Sequence, residues 1–422
     1  MGAILTHVRG AVSNLNLDVR IRTIAVSAAI ALAVAIIAAP AAQAQALSVL
    51  HTFTGGQDGG KPSAGLTIDQ AGNFYGTTTY GGAGYGTVFK LSHAGSGWTL
   101  STLYIFQGGS DGAYPIARVL FGPDGALYGT TNGGGDSGFG TVFSLRPPIT
   151  ACRSVQCLWT ETVLHRFTGF GDGTNPGYGD LAFDAAGNIY GTTYSGGQGG
   201  GGTVFKLTPS GGSWTESVLY SFSQSGNAGY LPYAGVVLDA VGNLYGTTLG
   251  GGINSQGVVF QLTHPGSSWM ETVLHLFGGS NDGEGPYGTL IMDQQGNLYG
   301  STYKGGSTGA GTVYELQPSG NSWTYSILAD LPAFANEGGP TGALAMDAAG
   351  NLYATTYADG FVGAGNVFEL TPSGGSWTYI DLHDFNRQDG YHPYGSVGLD
   401  AHGNIYGTTF GPGWGEVWEL TP

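Results

Sequence analysis

Asp69-Gln70-Ala71-Gly72-Asn73-Phe74-Tyr75-Gly76-Thr77-Thr78 is the stretch whose reading decides the fold, because the chain writes it six more times with small changes. The tyrosines that anchor the copies are Tyr75, Tyr128, Tyr190, Tyr245, Tyr299, Tyr353 and Tyr406, spaced by 53, 62, 55, 54, 54 and 53 residues. A period of that size belongs to propellers and solenoids, in which each repeat is one small sheet that cannot bury its faces alone.

Working outward from the motif, one unit reads as four strands. In the first unit they are A at 64–69, B at 73–79, C at 86–92 and D at 98–106. Asp69 and Gly72-Asn73 supply a tight turn between A and B, since the carboxylate bonds turn amides and glycine accepts positive φ. Gly95-Ser96-Gly97 does the same between C and D. Regular alternation of short strands and turns points to stacked antiparallel sheets.

Counting strands separates a ring from a line. Leu47-Ser48-Val49-Leu50-His51-Thr52-Phe53 is a D-type strand that precedes the first A, and the last repeat stops at a C-type strand, Glu416-Val417-Trp418-Glu419-Leu420. A closed circle uses that offset, with the earliest strand completing the final sheet, whereas a solenoid would need polar caps instead. Closure also leaves no long bare edge. The expectation is therefore all-β: a seven-bladed β-propeller of four-stranded antiparallel blades, closed by the N-terminal strand pairing into the last blade.

Residue size along the repeat agrees with a wheel. Five positions before the repeat aspartate stand Ala64, Ala117, Gly179, Ala234, Gly288, Gly342 and Gly395, small enough for converging sheets near an axis. Trp98, Trp159, Trp214, Trp269, Trp323 and Trp377 open strand D, where sheets diverge and large rings fill the wedge.

The first 44 residues read as a secretory signal. Arg9, Arg20 and Arg22 precede an apolar run, 23–39, and Ala42-Gln43-Ala44 gives the small-x-small cleavage pattern. The run is short for a bilayer span, so the expectation is an exported chain, secreted or periplasmic, with residues 45–422 as its propeller and no membrane span. No apolar tail follows the last repeat. Removing 1–44 leaves nine basic against 27 acidic side chains, a net charge of −18. Nucleic acid and anionic membrane are excluded as partners on that balance. Cys152 and Cys157, the two cysteines, lie in one insertion, 147–157. Export permits them a disulfide, a local staple worth on the order of 2 kcal/mol.

The unit Asp-x-x-Gly-Asn-Leu-Tyr-Gly-Thr-Thr, a glycine-rich loop, Gly-Thr-Val-Phe-Lys-Leu, Ser-Gly-Gly-Ser-Trp-Thr and Val-Leu-His-x-Phe together resemble the GloVer tandem repeat of exported bacterial "choice-of-anchor" proteins, over residues 47–422. The Asp-x-x-Gly-Asn-Leu-Tyr core is also similar to NHL-type propeller repeats. The resemblance implies no agreed activity and carries over no catalytic residue.

A search for chemistry finds little. His51, His165, His275 and His383 recur one per blade, and stacked sheets hold such positions about 10 Å or more apart, too far to share an ion. The Asp-Gly pairs of the D–A loops, such as Asp58-Gly59 and Asp172-Gly173, lack the carboxylate density of a calcium loop. Glycine-rich B–C loops lack the Lys-Ser/Thr of a phosphate loop, and no Gly-x-Ser-x-Gly or His-Glu-x-x-His occurs. No metal, cofactor or catalytic residue is expected.

The repeats differ most where each D–A loop reaches the axis. Just past the loop prolines come Ser63, Ile116, Tyr178, Tyr233, Tyr287, Thr341 and Tyr394, and two residues further only Arg118 and Asp180 are charged. Tyr178, Tyr233, Tyr287, Tyr394, Arg118 and Asp180 are therefore the candidate ligand-binding residues, at the mouth of a central channel. A structural alternative pairs Arg118 with Asp180 and uses the tyrosines as packing. The functional expectation is a monomeric binding or scaffold module for a glycan, a small molecule or a protein partner. The alternative is a carbohydrate-active lyase or hydrolase, which requires a close acid/base set drawn from Arg118, Asp180, His392 and Glu284.

Overall fold

A computed structural model describes residues 45–421 except 96, 149–156, 225–226, 279–280 and 333–337. Residues 1–44, where a signal is expected, and Cys152, with its expected pairing to Cys157, lie outside the described residues. Ala46–Thr421 make up one unit containing seven four-stranded sheets. In blade one the strands are A Thr67–Ile68, B Phe74–Thr78, C Thr87–Ala94 and D Gly97–Ile105, in spatial order A-B-C-D. Every pairing is antiparallel, and hydrophobic clusters fill the spaces between adjacent blades.

Ala46–Thr52 pairs antiparallel with Glu416–Thr421, from Ala46 opposite Thr421 to Thr52 opposite Glu416, with a bulge between Val49 and His51. The strand offset read from the sequence is thus ring closure: blade seven takes its outer strand from the start of the unit.

The Gly-Thr-Thr end of the motif is now explicable. A Cβ on Gly76 would come within 2.6 Å of the Phe89 ring on the neighbouring strand. The hydroxyl of Thr77 donates to the Ala117 carbonyl of the next blade at 3.0 Å, and Thr408 does the same to Ala64 across the closure, at 2.9 Å. Thr78 and Thr87 share a hydroxyl–hydroxyl bond of 2.8 Å within the blade. One threonine stitches blades together and the next stitches strands.

Strand A is shorter than the six residues read from the sequence: its ladder spans only Thr67–Ile68. Upstream, the Ala64 carbonyl is taken by Thr408, so the segment belongs to the inter-blade contact instead. Here the small axial residues are needed, since a Cβ on Gly395 would lie 2.3 Å from the Ala64 backbone and one on Gly179 2.4 Å from that of Gly235. The strand-D tryptophans are half-buried and pack on the clusters between blades, Trp214 lying 6.2 Å from Tyr128 of the preceding blade.

Candidate functional site

Each D–A loop lies beside the B–C loop of its own blade through paired backbone bonds, such as Gly60 with Tyr80 and Tyr391 with Gly411. Both loop sets therefore form one face of the wheel. The loops reach the axis through a strained residue. Lys61, Tyr114, Asn175, Leu231 and His392, each just before the loop proline, have φ between 53° and 58°. Left-handed backbone costs such residues about 1–2 kcal/mol each. Hydrogen bonds hold it: Lys61 N–H donates to the Trp414 carbonyl of the preceding blade at 2.6 Å, and its own carbonyl accepts from Thr79 at 3.1 Å. Asn175 and His392 repeat the arrangement. No sequence signal marked these positions, because residues before proline ordinarily avoid this conformation.

Beyond the prolines the six predicted residues converge. Tyr178 stacks on Tyr233 at 4.3 Å, Tyr233 meets Tyr287 edge-on at 4.9 Å, and the hydroxyls of Tyr233 and Tyr394 lie 2.5 Å apart. Tyr233 and Tyr394 enter from blades four and seven, so their contact spans the axis. The channel mouth is therefore bridged by tyrosines, where the sequence suggested an open ring. Burial, reinforced by Tyr394, pushes the Tyr233 hydroxyl far above the ordinary phenol range. Tyr178, Tyr287 and Tyr394 are likewise raised, chiefly by burial. At neutral pH the cluster offers neutral hydroxyls and ring faces, with no phenolate base.

Arg118 and Asp180 come together beneath the tyrosines. Nη2 and Nε of Arg118 reach one carboxylate oxygen at 2.8 and 3.1 Å, while its backbone N–H donates to the other at 3.1 Å. Thr289 and Ser396 accept in the same way from the backbone of Gly235 and Ala343, at 3.0 Å each. The pair is thus one member of an inter-blade ladder around the axis. It divides a small chamber of about 40 Å³ under the tyrosines from a wider one of about 780 Å³ walled by strand-A residues, among them Ile68, Leu120, Phe183, Leu238, Met292, Met346 and Leu399.

Sequence reasoning missed an outer ring of aromatics. Tyr194 packs edge-on against Tyr178 at 5.4 Å, Tyr303 against Tyr287 at 5.4 Å and Tyr357 against Tyr394 at 5.9 Å. They share one repeat position, just after strand B, which also holds Thr79, Asn132, Leu249 and Phe410. That variability between repeats was the signal available.

The candidates for acid/base work are dispersed. His392 stacks on Tyr357 at 4.4 Å and is held neutral by burial and by the nearby charges of Arg387 and Lys61. Glu284 accepts from the Gln256 side chain at 3.3 Å. The strand-D histidines each meet the Asp of their own D–A loop, as in His51–Asp58 at 3.4 Å and His275–Asp282 at 3.0 Å. Among the described residues no cluster of three or more His, Cys, Asp and Glu side chains suited to a metal ion occurs.

The model of the Gloeobacter/Verrucomicrobia repeat matches residues 37–222, 158–269 and 185–417. No curated protein matches the chain by sequence. Among solved structures, a polysaccharide lyase of family PL25, an ulvan lyase bound to a GlcA–Rha3S unit, is similar at 13% identity and TM-score 0.53, covering 88% of this chain and 95% of the lyase. A second structure described as a PL25 ulvan lyase gives 13% identity and TM-score 0.52, with 85% and 92% covered. A 6-phosphogluconolactonase-like protein from Bacteroides uniformis reaches 15% identity and TM-score 0.49, with 76% and 84% covered. At these identities the likeness is one of fold. Among the described residues no helix is long and apolar enough to cross a membrane.

Proposed function

The chain belongs to the Gloeobacter/Verrucomicrobia repeat family, and from that premise we propose that it is an exported glycan-binding module acting through its D–A/B–C loop face. The observation that carries this reading is the aromatic cluster at the centre of that face. Seven half-buried tyrosines, Tyr178, Tyr194, Tyr233, Tyr287, Tyr303, Tyr357 and Tyr394, offer ring faces and neutral hydroxyls together. Aromatic faces bury the C–H surfaces of sugars while hydroxyls fix orientation, the mix that small polar ligands require. The arginine-flanked apolar run and Ala42-Gln43-Ala44 support export, secreted or periplasmic. The net charge of −16 on the full chain favours a neutral ligand over a polyanion.

The enzyme reading has weaker support. Arg118 is occupied by Asp180, and His392 and Glu284 have separate partners, so these four candidates do not assemble into one acid/base set. Calorimetric titration of the mature chain with neutral oligosaccharides tests the proposal, and Tyr287→Ala should weaken binding about tenfold. Absence of any heat or tyrosine-ring shift on that face sinks it. The same mixtures scored for new reducing ends decide between binding and cleavage.

A further inference from the structure

The residue X of the repeated Gly-X-Gly that leads into strand C (Ser255-X-Gly257 in blade four) is Tyr85, Phe139, Gly201, Gln256, Ala310, Ala364 and Trp414. Blades seven, one and two, consecutive around the ring, thus carry an aromatic there, and the other four carry none. All three rings are on the D–A/B–C face and remain open to solvent: Trp414 is 43% exposed, Tyr85 37% and Phe139 38%. Each lies over a glycine of the next D–A loop. A Cβ on Gly55, Gly108 or Gly169 would come within 2.3 Å of Trp414, 2.5 Å of Tyr85 or 2.9 Å of Phe139.

Glycine stands at this loop position after all three of these blades and, as Gly279, after blade four, where X is Gln256. The same loop position is Gln224 after blade three and Arg387 after blade six, where X is Gly201 and Ala364. Each ring's carbonyl also holds a strained loop residue, as Lys61 is bonded to Trp414, Tyr114 to Tyr85 and Asn175 to Phe139. Each ring thus rests on loop backbone with part of its surface open to solvent, and Tyr85 also packs against Tyr114 at 5.9 Å. Away from the axis, sheets stacked face to face stand about 10 Å apart. Tyr85 continues through Tyr114 to Tyr80 at 5.6 Å, so the aromatic surface here is a run of rings along consecutive blades. They suit a long, thin ligand with an apolar face recurring every few units.

We infer that Trp414, Tyr85 and Phe139 form an extended track for a neutral polysaccharide, running across blades seven, one and two outside the central tyrosine cluster. The inference rests on the glycan-binding reading of this face and adds the ligand's form: a chain, rather than a single sugar. A neutral chain is favoured because Asp58, Asp111 and Asp172 lie in the same loops. Lys61 is committed to the carbonyls of Phe410 and Gly413 at 3.0 and 2.9 Å, and Arg166 to the Ser110 carbonyl at 2.9 Å and Asp136 at 3.5 Å.

The test is titration of the mature chain with cello-, laminari- and manno-oligosaccharides of increasing length, with polygalacturonate for comparison. Affinity for one of the neutral series should climb in steps as the chain reaches a second and a third ring. Tyr85→Ala, Phe139→Ala and Trp414→Ala should each weaken the longest oligomers about 3- to 10-fold and leave the shortest unchanged. Phe139→Tyr and Trp414→Phe, which keep a ring over the glycine, should bind as the parent does and guard against misfolding. Affinity that does not grow with length, or Ala variants as tight as the parent, overturns the track while short-chain binding leaves the central site standing. Tighter binding of polygalacturonate than of every neutral chain overturns the neutral assignment. No binding at any length removes the glycan reading itself.

Discussion

The repeat aspartate is a turn device repeated around the wheel. Asp184 accepts from the backbone N–H groups of Ala186 and Asn188, from the Asn188 side chain and from the Tyr190 hydroxyl, at 2.6–3.0 Å. Burial alone would raise its pKa, but the bonds from Asn188, Tyr190 and Ala186 outweigh it and hold the carboxyl below its usual range. Asp69 and Asp400 are lowered in the same way. Stability from these groups is present above the unfolded carboxyl pKa and is lost as pH falls through the lower folded values. Asp184→Ala should cost about 2–3 kcal/mol in a denaturant melt at pH 7. Blade two has Gly122 at the repeat position, and Asp124, two residues on, accepts from Ala126 and the Tyr128 hydroxyl instead and pairs with Arg146. Glu216 on strand D has the opposite sign: burial, with the neighbouring Asp172 charge, pushes its carboxyl up to about 7. The native state then holds a proton that the unfolded chain releases, so this contribution is full below pH ~4.5 and is lost as pH rises through ~7. Glu216→Gln should leave stability at pH 5 nearly unchanged. At pH 8 it should raise stability by about 1–2 kcal/mol, allowing for solvent screening. Denaturant melts at the two pH values decide it, and equal effects at both would remove the buried-carboxyl account.

At the scale of strands, the sequence was most informative where a local pattern fixes the outcome. The Asp-x-x-Gly turn, the B–C–D hairpins and the extra D-type strand at Leu47–Phe53 follow from turn chemistry and counting, and all are present. The length of strand A was not legible, because the bond that ends it comes from Thr408, which is 344 residues away. The candidate site divides the same way. The positions of Tyr178, Tyr233, Tyr287 and Tyr394 at the axis could be read from the prolines before them. That Tyr233 meets Tyr394 depends on two loops 161 residues apart crossing the ring, which no local pattern encodes. The tryptophans show a milder difference. They recur at the start of strand D as read, yet they are half-buried, so each covers a cluster rather than filling its centre. Trp214→Ala should therefore cost about 2–3 kcal/mol, below the 3–5 kcal/mol of a fully enclosed ring, in a thermal or urea melt. A loss above that range would place Trp214 among the fully buried core.

For the whole molecule, the seam at blade seven makes the wheel closed without making it covalently continuous. Seven inter-blade hydrophobic clusters leave no blade with a free face, and the contact between blades seven and one is made like others around the ring: Gly395 against Ala64, Thr408 to Ala64, and Phe74 on Tyr406 at 4.4 Å. Such a ring should unfold as one cooperative unit, unlike a linear array, whose end repeats can fray. Two variants separate the role of the closing strand from the role of the chain's order. Deleting Ala46–Thr52 strips the outer partner from Glu416–Thr421, exposes that edge and uncovers part of the cluster around Val417 and Trp418. It should lower the melting temperature strongly and promote association through the bare strand. Ala46 and Thr421 are paired residues, so a short linker can join them, and the chain can be reopened at the exposed Gly211-Gly212 turn between strands C and D of blade three. That permuted chain keeps every inter-blade contact, and only the place of the covalent break moves. It should keep the parent's oligomeric state and match the parent in stability, read from urea melts, to within about 1 kcal/mol. If the permutant fails to fold while the strand deletion melts like the parent, the pairing at blade seven contributes nothing. Stability would then reside in individual blades rather than in the closed ring.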